Sequence, residues 1–270
     1  MGMPLMMTSN HAIHPLAVVD PAAVLYDNVS VGPFCVVGPH VTLHRGVRLI
    51  SHVVVDGHTV VGEDTVVYPF ASLGTPPQDL KYAGETSYTT IGARTVIREH
   101  VTINSGTAGG GLHTRVGDDC LLMVGVHVAH DGWVHNRVIM ANNATLAGHV
   151  VVEDDVVLGG LCAVHQFVRI GRGAMIGGLT GVEQDVLPYA LVMGERGSLR
   201  GLNLVGLKRS GHSREAIADL QNFYQGLFKQ DGLPLAERIH NIPSTTGVLS
   251  ETWRSFLQAP SKRGLCVPSA

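Results

Sequence analysis

Aliphatic residues recur at every sixth position over most of this 270-residue chain, and that period constrains the fold more than any other feature. The count runs from Ile13 through Val19, Leu25, Val31, Val37, Leu43, Leu49, Val55, Val61 and Val67 to Leu73. It resumes in phase at Ile91, Ile97 and Ile103. After a shift of one residue it continues from Val116 through Leu122, Val128, Val134 and Met140 to Val182. A second column lies two residues earlier and holds small or β-branched side chains, among them Val29, Cys35, Val41, Val53, Val126, Ala144, Val156 and Cys162. Residues two apart share one face of a strand. One bulky and one small inward column at a period of six specify a parallel hexapeptide β-solenoid, in which three hexads make one triangular coil. The rungs predict about nine coils. Glycine often follows the bulky residue, as at Gly32, Gly38, Gly62, Gly92, Gly159 and Gly171. It suits both the backbone angles of a corner and the close approach of the next coil.

Composition excludes several functions. Charged residues are 15% of the chain and the net charge is −3, so no nucleic-acid partner is expected. Cys35, Cys120 and Cys162 fall in the small inward column and read as buried apolar thiols rather than a disulfide or metal framework. Reduced thiols fit a cytoplasmic location. Met1–Asn10 has no basic segment followed by an apolar one, and no apolar run is long enough to span a bilayer.

Two segments interrupt the repeat. Residues 74–90 are polar and carry Pro and Gly, and read as a loop extruded from the solenoid; Ser105–His113 is short and rich in Gly. Loops on a rigid scaffold are favoured places for ligand contacts. The period ends after Val182, with a boundary at Leu187-Pro188-Tyr189. The spacing then turns helical. Ser213 is the expected N-cap of a helix with Glu215 in its first turn and Ile217, Leu220, Tyr224, Leu227 and Phe228 on one face. Leu235–Ile239 and Val248–Leu257 read as further helices. Residues 1–190 are thus assigned to a solenoid and 191–270 to a helical part that caps its open end.

Histidine is the notable chemical resource, with 15 in the chain and none in an inward column of the repeat. His40, His44, His52, His58 and His135 read as solvated corner residues, with His40 and His58 stacked one coil apart. The segment His127-Val128-Ala129-His130-Asp131 differs, because two imidazoles and a carboxylate meet at one corner. One coil on lies Gly148-His149, with His149 three hexads after Asp131, and one coil further lies His165-Gln166-Phe167. Strands one coil apart are about 4.8 Å from each other. A general base needs an imidazole and a partner that sets its tautomer. Asp131 can serve His130 or His149. His127 and His130 also have the spacing of two zinc ligands, the alternative reading of this corner. Lys81, Lys208, Arg209 and Arg214 are candidate phosphate-binding cations.

At these residues the chain resembles the bacterial UDP-N-acetylglucosamine O-acyltransferases. The matching stretches include Gln78-Asp79-Leu80-Lys81-Tyr82-Ala83-Gly84-Glu85, Asn142-Asn143-Ala144-Thr145-Leu146-Ala147-Gly148-His149-Val150, Gly206-Leu207-Lys208-Arg209 and the tail Arg263-Gly264-Leu265. The resemblance implies a left-handed parallel β-helix with a small α-helical C-terminal part, an exception to the usual right-handed crossover. It implies a homotrimer that moves an (R)-3-hydroxyacyl group from acyl carrier protein to the 3-hydroxyl of UDP-GlcNAc, the first step of lipid A biosynthesis, without a cofactor or a resident metal. His130 would be the general base and Asp131 its partner, with the Gly148 N–H as oxyanion donor at a tight corner. His127, His149 and His165 would line the site. Asp79 and Lys81 would contact the acceptor or the acyl group. Gln166, Asn203 and Arg209 would hold the nucleotide, and Gly178 matches a position that limits acyl length. The chain departs from the family pattern at Asn104, Val205 and Ser210, which leaves a 3-amino sugar nucleotide open as the acceptor.

Overall fold

The computed structural model describes residues 11–229, 233–240 and 247–269; Met1–Asn10, where no leader is expected, lies outside them. The chain divides into two compact units, Met1–Gly132 and Trp133–Ala270.

In the first unit, short strands recur every six residues and form three parallel sheets. Ala12–Ile13, Ser30–Val31, Arg48–Leu49, Val66–Val67, Val96–Ile97 and Leu121–Leu122 make the first. Val18–Val19, Val36–Val37, Val54–Val55, Ser72–Thr75, Thr102–Asn104 and His127–Val128 make the second. Val24–Leu25, Thr42–Leu43, His58–Val61, Tyr88–Ile91 and His113–Val116 make the third. Strands of two residues have little propensity of their own. Pairing with the coils on either side forms them, and the step is three hexads, as from Ala12 to Ser30 and from Arg48 to Val66.

The interruptions obey the same arithmetic. Val66 pairs next with Val96, five hexads on instead of three, so two hexads, residues 76–87, leave the coil. Whole hexads keep the aliphatic count in phase. The extrusion is narrower than 74–90, because Gly74 and Thr75 belong to one strand and Tyr88, Thr89 and Thr90 to the next. Val96 pairs with Leu121, four hexads and one residue on, so a hexad and one further residue emerge between Asn104 and His113. The odd residue is the phase shift.

The second unit repeats the pattern. Trp133–Val134, Val151–Val152 and Arg169–Ile170 form one parallel sheet. Ile139–Met140, Val157–Leu158 and Met175–Ile176 form another, and Thr145–Leu146, Ala163–Val164 and Gly181–Val182 a third. Parallel pairing outlasts the hexad count. Val186 bridges to Ile170 and Leu191 pairs with Met175, each two residues short of three hexads. A coil shortened in this way erases the period without ending the sheet, so Leu187-Pro188-Tyr189 lies inside the last coil. Ser198–Leu202 then pairs antiparallel with Ala190–Met193. Among the described residues four helices follow: α1 Leu204–Arg209, α2 Arg214–Phe228, α3 Leu235–His240 and α4 Val248–Gln258. Ser213 caps α2, its Oγ accepting the Ala216 N–H at 3.2 Å. Ile217, Leu220 and Leu227 form the buried face of α2. Trp253 of α4 is fully buried and donates its Nε1–H to the Pro188 carbonyl, which fastens the helices to the last coil.

The inward columns are the core. Leu43, Leu73, Ile97 and Ile103 in the first unit and Leu146, Leu158 and Ile170 in the second have no exposed surface. Inward Thr65 and Thr95 bond carbonyls of the next coil, Thr65 Oγ1 donating to Gly92 at 2.8 Å and Thr95 Oγ1 to Gly117 at 2.9 Å, whereas Thr89 Oγ1 is buried without a partner among the described residues. Cys35, Cys120 and Cys162 are buried as expected. The first coil departs: Ile13 is 44% exposed and Val19 and Leu25 are half-buried, because only one described coil covers them.

Corner geometry separates two roles expected of one glycine. None of Gly32, Gly38, Gly62, Gly92, Gly159 and Gly171 has positive φ. They are needed for close approach instead: a Cβ on Gly32 would land on the Ile50 carbonyl, and one on Gly62 would meet the Gly92 backbone. The left-handed angles fall on side-chain-bearing residues such as Phe34 (φ 60°), His52 (52°), Phe70 (65°), Asp131 (57°), His149 (61°) and Phe167 (68°). At the Gly148 corner, too, the left-handed residue is His149. Such angles cost roughly 1 kcal/mol each in a bulky residue, and ring stacking between coils offsets part of this. Phe34, His52, Phe70 and His100 form a continuous ladder with centroids 4.8–5.1 Å apart. His40 and His58 stack at 4.4 Å as expected.

Gly32→Ala is expected to destabilise the chain by at least about 2 kcal/mol in denaturant unfolding, because the obstruction is backbone. Gly226→Ala, in α2 with open space around it, is expected to stabilise by about 1 kcal/mol. Equal effects of the two substitutions would contradict this division of roles.

Candidate active site

Asp131 occupies the left-handed position of a corner that follows the strand His127–Val128. The turn sends its side chain inward, where no part of it is exposed. Burying a carboxylate without hydrogen bonds would be strongly unfavourable, and Asp131 is well supplied. Thr107 donates its N–H to both carboxylate oxygens, at 3.0 and 3.2 Å, and its Oγ1–H at 2.6 Å. The Asp131 N–H donates to Thr114 Oγ1 at 2.8 Å. A further close neighbour is His130, with Nδ1 2.8 Å from Oδ2. A carboxylate only accepts, so Nδ1 carries the hydrogen and the lone pair stays on Nε2. Within the first unit, Asp131 therefore serves His130.

Nε2 of His130 faces the extruded loop, with Asp79 Oδ2 at 3.9 Å. That is too long for a hydrogen bond, but it stabilises positive charge on the ring. The His130 side chain is only 14% exposed, so water screens this weakly. Asp79 is set by its own turn, its Oδ1 accepting the Lys81 N–H at 2.9 Å. Lys81 itself is exposed. His127 bonds Thr102 Oγ1 through Nδ1 at 2.7 Å. Burial, followed by the neighbouring charge of His130, pushes the His127 pKa below the usual histidine value. Its neutral ring suits a lining role. Among the described residues, His127 belongs to no group of three metal-ligating side chains.

Glu85 ties the two loops of this corner together. Its Oε1 accepts the Ala108 N–H and its Oε2 the Ala83 N–H, both at 2.9 Å. These N–H groups hold its carboxyl below the ordinary glutamate range. Asn104 closes the neck of the extrusion by donating Nδ2–H to the Pro76 carbonyl at 3.1 Å. A Cβ on Gly110 would land on the Asp131 carboxylate, so a side chain there would displace that carboxylate.

In the second unit, His149 stacks on Phe167 with centroids 4.4 Å apart. His165 and Gln166 are exposed at the corner before Phe167, with His165 Nδ1 3.3 Å from the Gln166 carbonyl. Asn203 is committed to the backbone: its Oδ1 accepts the Gly206 N–H at 2.9 Å, and its Nδ2–H donates to the Gly173 carbonyl at 3.0 Å. It thereby caps α1, whose last turn carries Arg209. A Cβ on Gly178 would meet only the Gly160 backbone, its carbonyl oxygen at 3.3 Å, so a side chain there is tight but tolerable.

Comparison with known proteins gives the family. A family model described as Udp N-acetylglucosamine O-acyltransferase, Domain 2, matches residues 185–266. The acyl-[acyl-carrier-protein]–UDP-N-acetylglucosamine O-acyltransferase of Paracoccus denitrificans is 57% identical over 207 residues, covering 75% of this chain and 77% of that protein. The enzyme of the same description from Rhizobium johnstonii is 50% identical over 263 residues, covering 95% of each. This chain belongs to the UDP-N-acetylglucosamine O-acyltransferase family. The solved structure of LpxA from Acinetobacter baumannii is similar with a TM-score of 0.90 at 39% identity, covering 94% of this chain and 98% of that one. The fold is the family's left-handed parallel β-helix with a small α-helical C-terminal part.

Three residues escaped the periodicity argument: Thr107, Glu85 and Gly110. They act through loop conformation, on which a six-residue count is silent, although Glu85 ends one of the stretches that carry the family resemblance. Thr107→Val keeps the shape and the N–H but removes the shortest hydrogen bond to Asp131. It is expected to lower kcat about tenfold with little change in KM, and to cost about 1–2 kcal/mol of stability. Unchanged kcat would show that His130 does not depend on this support.

Proposed function

We propose that this chain transfers an (R)-3-hydroxyacyl group from acyl carrier protein to the 3-hydroxyl of UDP-GlcNAc, the first step of lipid A biosynthesis. The observation that carries the chemistry is the Thr107–Asp131–His130 relay, which leaves a basic Nε2 at a corner bounded by Asp79. A sugar hydroxyl is a poor nucleophile at neutral pH, and a positioned imidazole addresses that. In the proposed reaction His130 Nε2 removes the hydroxyl proton as the oxygen attacks the thioester carbonyl. The Gly148 N–H donates to the oxyanion. Collapse breaks the carbon–sulfur bond, and the departing thiolate of the pantetheine arm takes the proton back from the imidazolium. Asp131 and Asp79 lower the energy of that imidazolium.

Attack is direct in this account. Burial pushes the Cys162 thiol up to about 11 and raises that of Cys35, and Cys120 faces the core, so no thiolate is offered for an acyl-enzyme. His127, His149 and His165 line the site, while Asp79 and Lys81 meet the acceptor or acyl group. Gln166 and Arg209 hold the nucleotide, with Asn203 acting by fixing α1. The proposed assembly is a homotrimer in the cytoplasm. Among the described residues no helix is long and apolar enough to cross a membrane.

The test is turnover of the purified protein with UDP-GlcNAc and its 3-amino analogue against acyl carrier protein thioesters of graded length. An ester from UDP-GlcNAc is expected, with His130→Ala lowering kcat by about 10³-fold. Preference for the amine analogue would reassign the acceptor, and full turnover by His130→Ala would remove the base. In the same assay Gly178→Met is expected to shift preference to shorter acyl groups. Unchanged selectivity would detach position 178 from chain length.

A further inference from the structure

The tail Arg263-Gly264-Leu265 takes no part in the chemistry above, yet it is pinned to the last coil. The Asp185 N–H donates to the Gly264 carbonyl, and the Cys266 N–H donates to the Asp185 carbonyl, both at 2.8 Å. Leu265 forms a parallel bridge with Asp185, which is buried and paired with Arg169 at 2.8 Å. Arg263 Nε–H donates to the Glu183 carbonyl at 3.1 Å. Ser261 Oγ accepts the N–H groups of Arg263 and Gly264, at 3.2 and 3.0 Å. Residues 261–266 are thus a bent tail segment with a defined seat.

The clamp places one side chain against a corner that the reaction uses. Lys262 Nζ lies 4.5 Å from the centre of the Phe167 ring, the ring that stacks on His149. Lys262 is exposed, and its ammonium is in no ion pair among the described residues. An aromatic face holds a cation without neutralising it and leaves its N–H groups able to donate elsewhere. Gln166, immediately before Phe167, is already assigned to the nucleotide. An uncompensated cation beside these residues matches the charge and acceptor oxygens of a phosphate.

We propose that Lys262 binds a phosphate group of one of the two substrates, and that the pinned tail holds it in the site. The proposal rests on the acyl-transfer reading. Both substrates carry the chemistry, as the diphosphate of the sugar nucleotide and as the phosphodiester of the pantetheine arm.

Initial rates with each substrate varied in turn decide the matter for wild type, Lys262→Ala and Lys262→Arg. Lys262→Ala is expected to raise KM for one substrate about tenfold with kcat within about twofold, and Lys262→Arg to restore most of the loss. The substrate whose KM rises identifies the phosphate. Unchanged KM for both, a fall in kcat alone, or no rescue by Arg would overturn the proposal. An inactive wild type would refute the acyl-transfer reading instead. Calorimetric titration with UDP-GlcNAc and with phosphopantetheine would then still decide the contact, and equal affinities in wild type and Lys262→Ala for both would refute it.

Discussion

In-register stacking of parallel strands fixes the columns of side chains along each unit. Within each unit a residue lies directly over the one a coil earlier, so a column stays a column. Inward columns become a dry aliphatic core, and corner columns become ladders of rings such as Phe34, His52, Phe70 and His100. Extra residues can leave the coil only as loops. In the first unit both loops leave after strands of the second sheet, Ser72–Thr75 and Thr102–Asn104. The next strand of that sheet is His127–Val128, and its corner carries His130 and Asp131. The sheet order therefore brings two loops and a histidine–carboxylate pair to one edge.

The site depends on how the buried carboxylate is satisfied. Asp131 has no exposed side-chain surface, and Thr107 and His130 supply the donors that water would otherwise provide. Those bonds fix the imidazole tautomer. The Gly-rich loop thus supports the histidine–carboxylate pair: Thr107 supplies donors, Gly110 leaves room for the carboxylate, and Glu85 holds this loop to the one bearing Asp79. The inert thiols of the core have the converse logic, since apolar burial disfavours a thiolate.

Much of the fold was legible because the hexad is a direct image of the coil. The inward columns, the buried cysteines, the Ser213 cap and the His40–His58 stack all follow from spacing and residue type. Corner angles did not, because stacking against neighbouring coils imposes left-handed angles on Phe, His and Asp that local propensity would assign to glycine. The shortened coil after Val182 was hidden because it does not preserve a period of six, although pairing continues. At the site, the histidine–carboxylate corner stood out, whereas its supports did not. The hydrogen bonds of Thr107 to a residue 24 positions away depend on a loop path that carries no periodic signal.

The central claim is that Asp131 holds the hydrogen on Nδ1 of His130 and leaves Nε2 as the base. Nitrogen-15 NMR of the His130 ring, measured above its titration, tests this most directly. The account predicts a protonated Nδ1 and a pyridine-like Nε2 in the wild type, with that preference lost in Asp131→Ala. A ring protonated on Nε2 in the wild type, or a tautomer indifferent to residue 131, would contradict it.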